Sequence, residues 1–166
     1  IFRILLILLL PLSAIADEDL SKLNPLSADG LFISQDLKAG ELADIKVNMQ
    51  LQEGFFAYLE RFQLKVLSPE NIQVGELNID PVVDFDDTIS KKRKKGVKTS
   101  ATLTTQVEIP RDIASTKKFE MALTYIACTK KFCLTPRTVN FDMTANIQGI
   151  VAKTSDESLF STATII

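Results

Sequence analysis

The sequence predicts an all-β chain folded as an antiparallel sandwich. Three observations lead there. Apolar and polar residues alternate with a period of two over several short runs, turn-forming residues separate those runs, and no long stretch carries helical periodicity.

Taken in chain order, the first segment is a targeting signal and not part of the fold. Arg3 supplies a positive charge, residues 4–10 are an unbroken apolar run, and Pro11 ends it. Ala14-Ile15-Ala16 then matches the small-x-small cleavage pattern. Residues 1–16 are therefore expected to be a cleaved secretory signal peptide, with Asp17 the first mature residue. The run is too short for an anchor, because a spanning helix needs roughly 20 apolar residues. A chain that opens on Ile instead of Met is expected to be an incomplete sequence. Residues 17–152 suit one domain with a real core. A formal net charge of −2 argues against a general nucleic-acid binder. Export puts the cysteines in an oxidising compartment, where a disulfide can persist.

The mature part reads as strands. Ile45, Val47, Met49 and Leu51 alternate with Lys46, Asn48, Gln50 and Gln52. Phe62, Leu64 and Val66 alternate with Arg61, Gln63 and Lys65. Residues 97–109 read as one alternating run, with Val97, Ala101, Leu103, Val107 and Ile109 on one side. Phe119, Met121, Leu123 and Tyr125 make another face, as do Val139, Phe141 and Met143, with Ile147 continuing it. Turn signals lie at Lys38-Ala-Gly40, Gln52-Glu-Gly54, Ser68-Pro69-Glu70, Asp80-Pro81 and Pro110-Arg-Asp112. The methionines are expected to fill the core, and Tyr125 to lie in it. The tail from 153 to 166 reads as a linker, expected to lead toward a membrane domain.

Two charged stretches stand out. Lys91-Lys-Arg-Lys-Lys95 could attract anionic headgroups or an acidic partner face, but a solvated loop before a strand at Val97 is the plainer reading. Asp84, Asp86 and Asp87 lack the glycine and terminal glutamate of a calcium loop, so a solvated acidic loop is expected.

The chain has two cysteines, Cys128 and Cys133, and no histidine. A zinc site needs more ligands than this. A Cys-His hydrolase needs the missing histidine, and a thioredoxin-type centre would show C-x-x-C in a βαβ setting. A copper-handling sandwich is disfavoured by the lack of histidine and the few methionines. A structural staple and a redox pair remain. A loop this short gives a disulfide roughly 2 kcal/mol, against about 4 to 5 for one spanning much of a domain. That modest return favours redox chemistry without closing the alternative. Lys130 and Lys131 between the cysteines, with Arg137 after them, would favour a thiolate.

The stretch Tyr125-Ile-Ala-Cys128-Thr-Lys-Lys-Phe132-Cys133-Leu-Thr-Pro136 resembles the cysteine segment of the N-terminal periplasmic domain of the thiol:disulfide interchange protein DsbD. Glu53-Gly54-Phe55-Phe56-Ala57-Tyr58 resembles that family's acidic-Gly-aromatic-aromatic-x-Tyr segment. Asp80-Pro81 running into Asp84-Phe85-Asp86-Asp87 is a weaker third match. The resemblance implies an immunoglobulin-like sandwich with one redox-active disulfide and no other cofactor. It implies electrons taken from a thioredoxin-like domain, itself reduced through a membrane domain, and passed to a periplasmic disulfide isomerase and a cytochrome c maturation thioredoxin. Cys133 would form mixed disulfides with partners, and Cys128 would be its intramolecular mate. Phe56, Tyr58 and Phe132 would line the site, with Asp86 and Asp87 the acidic pair of a cap loop. The family often has an aromatic directly after that pair, where this chain has Thr88 and Ile89. A looser cap, or shielding by Phe85, is the expectation. The alternative is a secreted immunoglobulin-like binding module with an inert disulfide.

Overall fold

Twelve strands form, in a computed structural model that describes residues 20, 22–34, 36–112 and 115–148. The signal peptide expected at 1–16 and the linker expected at 153–166 lie outside the described residues. In chain order the first six strands are β1 (Leu26–Phe32), β2 (Asp36–Lys38), β3 (Leu42–Leu51), β4 (Phe56–Tyr58), β5 (Gln63–Ser68) and β6 (Asn78–Asp80). The rest are β7 (Val83–Asp87), β8 (Lys92–Val97), β9 (Ser100–Glu108), β10 (Ser115–Tyr125), β11 (Ala127–Cys128) and β12 (Arg137–Gln148).

Two four-stranded sheets, β1-β3-β9-β6 and β2-β12-β10-β5, face each other as the expected immunoglobulin-like sandwich. The alternating runs dictate which faces meet. Ile45 and Val47 of β3, Leu103 of β9, and Phe119, Met121 and Leu123 of β10 have no solvent exposure. Burying each such side chain contributes about 1.5–3 kcal/mol. The rings of Phe32 and Phe119 meet edge to face across the core, 5.0 Å apart. Tyr125 is buried as expected, and its hydroxyl donates to Asn24 Oδ1 and accepts the Leu26 amide at 3.0 Å. Met49, Met121 and Met143 are all buried core residues. One pair departs from the antiparallel pattern: β2 runs parallel to β12, with Leu37 opposite Ile147.

A third sheet, β11-β4-β8-β7, sits at the end of the sandwich where three core strands run over into it. β3 turns through Gly54, whose φ of 87° needs a glycine, into β4. β10 passes through Ile126 into β11, and β8 passes through Lys98 and Thr99 into β9. The small sheet is thus anchored to the core at three places.

Two sequence expectations are corrected here. Residues 97–109 are not one strand, because Lys98 and Thr99 break the run between β8 and β9. Residues 92–95 are not a loop but most of β8, and Asp84, Asp86 and Asp87 belong to β7. The two expected loops are partners. Asp84 lies opposite Lys95 and Asp86 opposite Arg93, and opposite charges across a strand pair favour pairing. All four side chains remain exposed, so their solvation was legible while their pairing was not.

The approach of β8 to β4 is close. A Cβ on Gly96 would lie 2.0 Å from the Ala57 carbonyl oxygen and 3.1 Å from the Phe85 ring. Gly96→Ala is therefore expected to force the two backbones apart and cost about 1–3 kcal/mol, or more if the sheet opens. Urea denaturation checks this, and a midpoint unchanged from wild type would contradict it.

Candidate functional site

Cys128 and Cys133 form a disulfide in the third sheet, with an S–S distance of 2.02 Å. Cys128 is fixed by β11, where it pairs with Phe56 of β4. The intervening residues form a tight turn. The Thr129 amide donates to the Phe132 carbonyl and the Leu134 amide to the Ala127 carbonyl, each at 2.8 Å. The Thr129 hydroxyl oxygen accepts the Lys131 and Phe132 amides at 3.2 Å. This local bonding is why a Thr follows Cys128 directly.

The two sulfur residues sit in different surroundings. Cys128 is 0% exposed and packs with Phe56 and Phe85, flanked by Tyr58 and Ile126. Cys133 is exposed. Phe56 and Phe85 have ring centroids 4.5 Å apart, and Tyr58 stacks on Phe85 at 6.1 Å. Phe85, expected to shield the pair, packs against Cys128. Phe132, expected to line the site, instead packs its side chain on the sandwich core, and it joins the turn through its backbone.

The acidic pair divides. Asp86 is exposed, while Asp87 is only 2% exposed and anchors a network. Tyr58 Oη donates to Asp87 Oδ2 at 2.8 Å, and the Ile89 and Ser90 amides donate at 3.0 and 3.3 Å. The Ser90 hydroxyl also donates to Oδ2. Burial alone pushes the Asp87 carboxyl up, but the bonds from Ser90, Tyr58 and Ile89 outweigh it and hold the group below its ordinary value. Tyr58 is pushed up to about 12, first by burial and then by its bond to and the charge of Asp87. The same hydroxyl lies 3.7 Å from Cys133 Sγ, so buried carboxylate, phenol and exposed sulfur form one chain.

Thr88, where the family often has an aromatic, has its own task. Its hydroxyl donates to the Lys130 carbonyl at 2.8 Å, pinning the β7–β8 turn to the cysteine turn. Sequence reasoning missed this clasp and also missed Ser90. An Asp followed three residues on by Ser is a turn signal that could have pointed to the Asp87 network. Lys94 was also missed as a site residue. Its Nζ pairs with Glu60 at 2.8 Å and lies 5.6 Å from the Tyr58 ring centroid. Among the described residues, no group of three or more Cys, His, Asp or Glu could hold a metal.

Comparison with known proteins bears on this geometry. Residues 24–145 match the family "Thiol:disulfide interchange protein DsbD, N-terminal". The fold resembles the crystal structure of the Neisseria meningitidis DsbD N-terminal domain in the reduced form, at 16% identity and a TM-score of 0.51, covering 70% of this chain and 83% of that one. Lower similarity links it to the N-terminal periplasmic domain of ScsB from Proteus mirabilis, at 15% identity and a TM-score of 0.44, covering 69% of this chain and 43% of that one. A chain from the complex between the N. meningitidis DsbD and PilB N-terminal domains matches at 15% identity and a TM-score of 0.43, covering 64% and 77%. No curated protein sequence matches this chain significantly.

Two pH windows follow from the network. The Asp87 value is lower folded than unfolded, so its contribution is full above the ordinary carboxylate value of about 4 and is lost as pH falls through the folded value. Tyr58 is the reverse: its contribution is full below about 10 and is lost as pH rises toward about 12. Asp87→Asn should flatten the acid limb of the stability profile measured by urea unfolding. It should also lower the Tyr58 titration, read as the ultraviolet difference between Tyr58-containing and Tyr58→Phe proteins. An unchanged acid limb and phenol titration would contradict the network.

Proposed function

We propose a redox function on this premise: the chain belongs to the family of thiol:disulfide interchange protein DsbD N-terminal domains. Cys128 and Cys133 are the catalytic pair of a thiol–disulfide exchange domain that relays reducing equivalents. The observation that carries this reading is the asymmetry of the disulfide, one sulfur residue sealed under Phe56 and Phe85 and the other open to solvent. A bridge serving only as a staple has no need of that asymmetry.

The chemistry runs as two exchanges. A thiolate of a reduced partner attacks Cys133 Sγ, forming a mixed disulfide while the Cys128–Cys133 bond breaks. The electron pair goes to Cys128 Sγ, which takes up a proton. The partner's second thiolate then attacks its own bridged sulfur and expels the Cys133 thiolate. The partner leaves as a disulfide, and this domain has gained two electrons and one proton, with Cys133 left as the thiolate. On the outgoing side the Cys133 thiolate attacks the disulfide of an acceptor, and Cys128 closes the bridge again.

The aromatic cluster supports this by keeping water and stray thiols from Cys128. Tyr58 links Cys133 Sγ to the buried Asp87 carboxylate, while Lys130 and Lys131 stand exposed in the cysteine turn. The donor is a thioredoxin-like domain fed through a membrane domain tethered to this one. The acceptors are a periplasmic disulfide isomerase and a cytochrome c maturation thioredoxin. The periplasmic setting is supported by the leader-like residues 4–16 and by the family.

Equilibrating the protein with a glutathione series and reading the thiol content by mass tests the reading. A two-electron midpoint above about −300 mV is expected, with no reversible couple in Cys133→Ser. A midpoint below that level would leave an inert bridge in an immunoglobulin-like module.

A further inference from the structure

We propose that the face around Cys133 is a cationic docking surface that selects protein thiol partners whose reactive sulfur is bordered by carboxylates. The proposal deepens the exchange reading above and rests on it. The chain is net negative, yet its strongest cationic run lies at the site. The β7–β8 hairpin carries Lys91, Lys92 and Arg93 at its tip, all exposed, with Lys92 in register with Asp87. The Thr88 hydroxyl fastens that tip to the cysteine turn, where Lys130 and Lys131 are exposed. Lys94 stands over Tyr58, whose hydroxyl is 3.7 Å from Cys133 Sγ. Exposed positive charge thus borders the cysteine pair on the hairpin tip and on the cysteine turn.

Neighbouring carboxylates do not cancel it. Asp87 contributes one buried negative charge, and Glu60 and Lys94 offset each other in a 2.8 Å pair. Glu53, Asp84 and Asp86 remain exposed, and the lysines and arginine of the hairpin and cysteine turn outnumber them.

A second feature adjoins the same surface. A cavity of about 320 Å³ is lined by Phe55, Phe56 and Phe85, with Lys98 and Lys130 and the carboxylates Glu53 and Asp86 also on its wall. Lys98 Nζ lies 5.8 Å from the Phe85 ring centroid. An apolar side chain fits the aromatic wall, and carboxylates beside it would meet the exposed cations of the hairpin tip and the cysteine turn, so the surface suits a protein segment that is both apolar and acidic. A bilayer fits poorly, because lipid covering these cations would also cover the sulfur that has to exchange.

Three small thiols test the surface without a known partner: 2-mercaptoethanesulfonate, 2-mercaptoethanol and cysteamine. The rate constant for reducing the oxidised protein is measured for each, per thiolate, from low salt upward. At low salt the sulfonate is expected to outrun cysteamine by about tenfold, because a local positive potential concentrates anions. The gap should close as salt shortens the screening length. It should shrink or reverse in Lys92→Glu/Arg93→Glu/Lys130→Glu, three exposed positions. Equal per-thiolate rates at low salt would overturn the surface and leave exchange intact. Failure of all three thiols would overturn the exchange reading itself. Phosphatidylglycerol-containing vesicles are expected to leave the reduction rate unchanged. Vesicles that bind the protein and block its reduction would make this a lipid surface and overturn the proposal.

Discussion

A carboxylate with almost no access to water organises this site. Burying an unpartnered charge is prohibitive, so the chain around Asp87 must supply donors. It does so by folding the β7–β8 turn back, bringing the Ile89 and Ser90 amides and the Ser90 hydroxyl onto the carboxylate. The last donor comes from another strand, the Tyr58 hydroxyl of β4. Hydrogen bonds to a charged group contribute about 1.5–3 kcal/mol each, enough to fix both the turn and the phenol. Because the phenol is fixed, its oxygen stays beside Cys133. Because the turn is fixed, Thr88 reaches the Lys130 carbonyl.

The rest of the molecule makes that arrangement rigid. The third sheet has short strands and would not hold by itself. It persists because β3, β9 and β10, whose inward faces form the sandwich core, continue into it. The close contact of Gly96 with Ala57 then sets β8 against β4, which lets Phe85 and Tyr58 reach over Cys128 from opposite strands. The disulfide is thus held on rigid elements, with its two sulfurs given unequal access. A binding or redox site needs that preorganisation more than it needs the few kcal/mol a short bridge can supply.

The long strands were legible because one face of each is buried and the other wet, which writes a period of two into Ile45 to Leu51 and Phe119 to Tyr125. The short ones were not. β4, β6 and β11 span two or three residues, too few for any period to show. β1 was hidden by Gly30, which has no side chain because Phe141 and Met143 occupy the space where a Cβ would go. β7 and β8 were hidden for a different reason. Their charges read as solvated loops, and only the pairing of one with the other turns them into a sheet edge. Such charge on an edge strand also discourages pairing with a second molecule. At the site, the cysteine pair stood out from the residues themselves, and the resemblance pointed to Phe56, Tyr58 and Asp87, which lie beside it. Thr88 and Ser90 were not, since their roles depend on a partner carbonyl and a partner carboxylate that sequence spacing does not bring together.

Exchange at this site depends on the unequal exposure of Cys128 and Cys133. The most direct measurement is to trap the protein at partial reduction in glutathione and map the adduct by peptide mass. Glutathione attached to Cys133, with Cys128 unmodified, is the predicted result. Adducts distributed equally between the two, or found on Cys128 first, would contradict it.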